Sequence, residues 1–139
     1  MHLPEVNVWL ALAFEVHAFH SMAKAWFEEV HAQSCAFCRQ TQLGFLRLAT
    51  NPSVFKGEAL TMEKAWMCFD LLVEDERVLF LDEPALVESN WRELTSTSSY
   101  SHKVWNDAFL AAFAQQANLE LVTFDKGFAA QSKAKIKVL

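Results

Sequence analysis

Two aspartates near the C-terminus stand where an acid is expensive. Asp107 lies in Trp105-Asn106-Asp107-Ala108-Phe109-Leu110-Ala111-Ala112, which reads as a buried helix. Asp125 ends Leu119-Glu120-Leu121-Val122-Thr123-Phe124-Asp125, which reads as a strand running into a loop. A charge inside or at the rim of an apolar segment costs free energy unless something offsets it. A hard divalent cation is one such partner, because it prefers oxygen ligands and leaves room for a phosphate oxygen. Glu5, in Leu3-Pro4-Glu5-Val6-Asn7-Val8-Trp9-Leu10, is a third acid of this kind. Acids at the ends of separate elements suggest a site assembled by the fold, and phosphodiester chemistry is the first reading. Simpler roles stand beside it. Asp107 suits the first turn of a helix, where the dipole favours negative charge. Asp125 suits a turn before Gly127, and Glu5 suits an ordinary surface position.

The elements that must carry these acids alternate in type. Val6 to Leu10 is a compact apolar run after a proline and predicts a buried first strand. Ala18 to Ala32 predicts a helix, with Met22, Ala25, Trp26 and Val30 inward and Lys24, Glu28 and Glu29 toward water. Ser34 to Phe37 predicts a second strand, and Thr41 to Ala49 a helix stopped by Thr50-Asn51-Pro52. Thr61 is a candidate N-cap for a helix that runs on to Val73. Val78 to Leu81 predicts a third strand, Leu86 to Leu94 a helix, and Thr95 to Ser101 a Ser-rich loop. Val104 to Ala117 predicts a helix closed by Asn118. Leu121 to Phe124 predicts a fourth strand, and Ile136 to Val138 a fifth at an edge. Strands alternating with helices at crossover spacing mean an α/β domain with a mostly parallel sheet. Ligands of such sheets gather outside the carboxyl ends of the strands, where Asp125 falls.

Composition narrows the class. With 53% apolar residues, three Gly and three Pro in 139 residues, disorder and fibrous structure are excluded and one domain spanning 1–139 is expected. No apolar run reaches membrane-spanning length, so no membrane partner is expected. Three cysteines, an odd count, and the lack of a leader pattern fit a cytoplasmic protein. The net charge of −5 opposes high-affinity nucleic-acid binding. It opposes a metal-dependent enzyme that touches its polymer briefly much less, because metal ions supply local positive charge.

Four segments together resemble a PIN domain of the VapC-type toxin ribonucleases: Leu3 to Val8, Thr41 to Pro52, Asp107 to Ala114, and Leu121 to Phe128. The resemblance runs over nearly the whole chain. It implies a PIN-like three-layer α/β/α sandwich with a mostly parallel central sheet of four to five strands. It also implies RNA cleavage dependent on Mg²⁺ or Mn²⁺, and inhibition by a cognate antitoxin protein. A homodimer is expected on the same grounds. Asp107 and Asp125 match the third and fourth acids of the family pattern. The first position, usually Asp in D-x-N, is Glu5 with Asn7 retained, and the second, often Glu, is Gln42.

On this reading Glu5, Asp107 and Asp125 are metal ligands, and Gln42 orients a water or a ligand. Asn7 and Thr123 hold the carboxylates by hydrogen bonds. In-line displacement would leave a 5′-phosphate and a 3′-hydroxyl. Glu5 is one methylene longer than the family's Asp, and a misplacement of about 1 Å costs on the order of 100-fold in rate. Gln42 removes a charge and also suits a plain helix N-terminus. The two departures keep open an alternative, a PIN-fold protein with an impaired site that mainly binds RNA or a protein.

Other polar residues carry weaker readings. Arg39, Arg47 and Lys126 flank the proposed site and suit RNA phosphates or ordinary surface charge. Trp91 and Trp105 lie near the Ser-rich loop, where either could stack on a base. Cys35 and Cys38 have redox spacing, but residues three apart on a strand face opposite ways, so packing is the expectation. His17, His20 and His31 lack the H-E-x-x-H spacing of a zinc helix and read as surface or capping residues.

Overall fold

The computed structural model describes residues 1–128 and 132–139. Five strands form one sheet: β1 (His2–Pro4), β2 (Cys35–Phe37), β3 (Val78–Phe80), β4 (Glu120–Thr123) and β5 (Lys135–Val138). Their order is β3-β2-β1-β4-β5, and every pair is parallel. The helices are α1 (Val6–Ala13), α2 (His20–Glu28), α3 (Arg39–Ala49), α4 (Met62–Val73), α5 (Val87–Thr95) and α6 (Val104–Gln116).

Side chains alternate across the sheet into two cores, as the strand period of two requires. Cys35, Phe37 and Val122 join residues of α1 to α4 on one face. Leu3, Ala36 and Leu121 join Leu110, Phe113 and Ala114 of α6 on the other. The result is the expected three-layer α/β/α sandwich, with a sheet that is wholly parallel. Trp9 stacks on Phe37 at 3.7 Å between ring centroids, which locks α1 onto β2. Cys35 and Cys38 fall into opposite cores, and burial pushes the Cys35 thiol strongly up, so it is inert packing.

The first strand is not where the apolar run predicted it. Val6 to Leu10 is the start of helix α1, and β1 occupies the three residues before Glu5. An unbroken apolar run does not distinguish a buried strand from a buried helix. Here α1 is covered on several sides, so Val8, Trp9, Leu10 and Ala11 are all buried in succession and no period shows. Pro4, with no N–H to donate, closes β1, and Glu5 N–H continues the pairing to Val122 O at 2.9 Å. In α2 the buried residues are Ala23, Trp26 and Phe27, with Val30 buried just beyond its end; Trp26 and Val30 are inward as expected, whereas Met22 and Ala25 are exposed.

Local signals placed two helix ends well. Thr61 Oγ1 accepts from Lys64 N–H at 3.2 Å and caps α4. Asn118 adopts φ of 52° after α6, where its N–H donates to Gln115 O and Leu119 N–H donates to Ala114 O. This double bond pattern ends α6 sharply and sends the chain straight into β4. Among the described residues no helix is long and apolar enough to cross a membrane.

Candidate active site

Because the sheet is wholly parallel, all its strands end at one edge, and three acids meet there. Glu5 directly follows β1 and is the N-cap residue of α1, with extended φ and ψ of −68° and 168°. Asp125 lies two residues beyond β4. Asp107 is in the first turn of α6, the helix whose far end feeds β4.

Thr123, the last residue of β4, ties two of these acids together. Its buried Oγ1 donates to Glu5 Oε2 at 2.9 Å and accepts from Asp125 N–H at 3.0 Å. The Asp125 carboxylate in turn accepts from Gly127 N–H at 2.8 Å. Burial raises the Glu5 carboxyl above its ordinary range. Hydrogen bonds from Thr123 and Asn7 oppose that rise, and the Asp107 and Asp125 charges add to it. Burial, and then the Asp125 charge, also raise Asp107. These are the shifts expected of like charges gathered in a partly dry recess without a cation. None of the three acids forms an ion pair among the described residues.

The recess is an open cavity of about 380 Å³. Glu5, Asn7, Arg47 and Asp107 supply its charged and polar rim, with Gln40 and Asn106 between them. The α3 wall is made by Gln40, Leu43, Gly44 and Arg47. Gly44 is required there, because a Cβ would stand 2.6 Å from Val6 Cγ2. Gln42 is not part of that wall. It is buried on another face of α3, and its amide oxygen accepts from the Arg39 guanidinium. Arg39 itself lies over the Phe80 ring at 5.0 Å, whereas Lys126 is exposed beside Asp125.

Sequence reading passed over Gln40, Leu43 and Gly44, yet a signal for them existed. They precede Arg47 by seven, four and three residues, the spacing of one helical face. Asn106, beside Asp107, was equally within reach; its carbonyl accepts from Gln40 Nε2 at 3.4 Å, linking α6 to α3. The histidines serve local structure. His20 Nδ1 lies 2.7 Å from Ala11 O, and His17 Nδ1 accepts from Phe19 N–H at 3.1 Å. Among the described residues no three His, Cys, Asp or Glu side chains are drawn together as a finished metal-ligand set. Glu5 and Asp107 line the cavity and Asp125 does not, although carboxylate oxygens of all three are the donor type a hard cation prefers.

Comparison with known proteins agrees with this architecture. The PIN domain family model matches residues 3–134. The chain is 37% identical over 144 aligned positions to Ribonuclease VapC41 of Mycobacterium tuberculosis, covering 100% of this chain and 99% of that protein. Among solved structures, Mycobacterium tuberculosis VapC20, described as a Sarcin-Ricin loop cleaving toxin, superposes with a TM-score of 0.68 at 18% identity, covering 94% of this chain and 95% of that one. VapBC2 from Rickettsia felis, bound to a DNA fragment from its promoter, superposes with a TM-score of 0.68 at 13% identity, covering 99% and 97%. With the match spanning both cores and the whole acidic edge, the chain belongs to the PIN-domain family and is of the VapC type.

Proposed function

We propose that this protein is a metal-dependent endoribonuclease, the toxin component of a toxin–antitoxin pair. The observation that carries the reading is the gathering of Glu5, Asp107 and Asp125 at the carboxyl edge of the sheet, with Glu5 and Asp107 both raised by burial and by the neighbouring acids. The full-length likeness to a protein named a ribonuclease supports it.

Glu5, Asp107 and Asp125 are the residues that would hold Mg²⁺ or Mn²⁺. When bound, such an ion supplies Lewis-acid stabilisation of the phosphate and acidifies water at neutral pH. The chain supplies the rest. Thr123 orients the Glu5 carboxylate and the Asp125 backbone together, as outer hydrogen bonds do in metal sites. Asn7 favours the charged form of Glu5. Arg47, at the rim of the cavity, is placed to neutralise a phosphate of the strand. Gln42 contributes by holding Arg39, which with Lys126 forms a weaker outer contact for RNA. The likeness to VapBC2 supports an antitoxin as partner, and a homodimer belongs to the same reading through the family resemblance alone.

One feature favours a second reading, a PIN-fold binding module with an impaired site. The α3 wall contributes no carboxylate, so the site has three acids rather than four.

Cleavage of a mixed-sequence RNA panel in Mg²⁺, Mn²⁺ and chelator separates the two. The expected outcome is metal-dependent cleavage that falls by at least about 100-fold in Asp107→Asn, the scale of a badly placed catalytic group. Equal cleavage by the variant would expose a contaminant, and absence of cleavage in either metal would favour the binding module.

A further inference from the structure

Asp107 lines two recesses, and the second has a different chemistry from the first. It is a cleft of about 520 Å³ between the loop after α5 and the start of α6. Five hydroxyl side chains, Thr95, Thr97, Ser99, Ser101 and Ser132, line it together with the Trp105 indole. Among its described lining residues no side chain is cationic, and Asp107 is the single charged one. A phosphate would meet a carboxylate there with nothing to neutralise it. The cavity on the other side of Asp107 has Arg47, and its aromatic lining residue, Phe128, is buried in the core rather than open as a platform. A neutral, planar group with hydrogen-bonding edges suits the second cleft, and an anion suits the first.

Trp105 is built as a platform. It is 50% exposed, so one face of the indole is free to be covered. Its backbone carbonyl accepts from Trp91 Nε1 at 3.0 Å, and the two indoles meet edge to face at 6.1 Å and 85°. Trp91 is braced again by Phe109 at 5.3 Å. Trp91 therefore serves as the support, its N–H already committed, and Trp105 presents the open surface. Hydroxyls on a short loop rotate to donate or accept, so they can read a base edge without fixing one pattern in advance. Thr97 and Ser99 are already within 2.9 Å of each other, which orders the loop over the cleft.

Building on the nuclease reading, we infer that this cleft is the subsite for one unpaired nucleobase next to the scissile phosphate, stacked on Trp105 and read by the hydroxyls of residues 95–101. A base held in a duplex cannot enter such a cleft, so the subsite selects a nucleotide that is already unstacked. Base–aromatic stacking contributes about 1–3 kcal/mol per base, which sets the scale of the effect.

The test is equilibrium binding of a short single-stranded RNA, with one abasic position walked along it, in chelator so that no cleavage is needed. Wild-type protein should bind the intact strand about tenfold more tightly than a strand abasic at one particular position. Trp105→Ala should bind the intact strand about tenfold more weakly and lose that positional penalty, whereas Trp105→Phe should keep it. A fold defect would weaken all strands alike without erasing the penalty at one position. If Trp105→Ala binds every strand as wild type does while Arg47→Ala weakens them all, the base subsite is wrong and the nuclease reading survives. If wild-type protein binds no RNA at all in chelator, the base subsite is wrong, while the nuclease reading still stands or falls on cleavage in metal.

Discussion

The two ends of the sheet treat charge in opposite ways. At the amino end the acids Asp75 and Glu120 each have a basic neighbour. Asp75 meets Arg77 at 2.7 Å, with the guanidinium over the Phe27 ring at 4.0 Å. His2 Nδ1 lies 3.1 Å from Glu120 at the start of β1 and β4. The Arg77 hydrogen bonds accordingly hold the Asp75 carboxyl below its usual range. At the carboxyl end Glu5 and Asp107 have no cationic partner, and burial holds both above it. The same residue class is stabilised at one end and strained at the other. Paired acids of the first kind belong to the scaffold. Unpaired, crowded acids are an expense that scaffold packing does not explain, and the proposed metal site accounts for them.

This contrast can be broken at several points. The largest effect is expected at Thr123, whose hydroxyl serves both Glu5 and Asp125. Thr123→Val keeps the shape and removes the donor, so cleavage should fall about 10- to 100-fold, as for other outer hydrogen bonds of metal sites. Because the Thr123 bond lowers the Glu5 pKa against burial, its loss should also move the acid limb of the pH–rate profile upward. An unchanged profile would detach Thr123 from Glu5.

Gly44→Ala asks whether geometry matters apart from charge. Alanine favours helix by about 1 kcal/mol over glycine, but the new Cβ at 2.6 Å from Val6 Cγ2 overpacks the α1–α3 contact at a cost of about 1–3 kcal/mol. Chemical denaturation should show a net loss near 1 kcal/mol, because Val6 is branched and stiff. A displacement of α1 carries Glu5 with it, so cleavage should fall about tenfold even with every acid present. Full activity would mean that α1 yields without moving the site.

The smallest effects test the comparison most directly. In chelator at neutral pH, Glu5→Gln should stabilise the protein, because the raised pKa means that folding disfavours the charged form. That advantage should shrink as pH falls through the raised Glu5 value toward 4.5, where wild type is protonated too. Asp75→Asn should do the reverse. Its lowered pKa contributes stability above pH 3.8 that is lost as pH falls further, and for so accessible a pair the loss at neutral pH should be about 1 kcal/mol or less. Thermal unfolding across pH reads both. Shifts in the same direction would erase the difference between the two ends.

Much of this was legible in the residues. Thr61 and Asn118 marked helix ends through caps that act within a few residues. The strand-end position of Asp125 followed from an apolar run stopped by a charged turn. The phase of a buried element was only partly legible. Val6 to Leu10 shows no period because α1 is covered on several sides, and in α2 Trp26 is inward as expected whereas Met22 and Ala25 are exposed.

Gln42 and Gly44 show why the site was harder to read than the fold. Both lie in the same short segment of α3, and a step of two residues turns a helix through about 200°, to the opposite face. Residue type favoured the polar Gln42, yet the face toward the acids carries Gln40, Gly44 and Arg47, and Gln42 is turned to Arg39.

The sequence by itself determined the alternation of strand and helix beyond α1, the helix ends at Thr61 and Asn118, and the strand-end position of Asp125. Those follow from local preferences and from the cost of burying charge. Only the tertiary structure decided that Thr123 joins Glu5 to Asp125, that α3 shows Gln40 and Gly44 rather than Gln42 to the cavity, and that Trp105 rather than Trp91 is the open ring. Each of these depends on how elements rotate against neighbours distant in the chain, and that rotation is settled by close packing across both faces of the sheet.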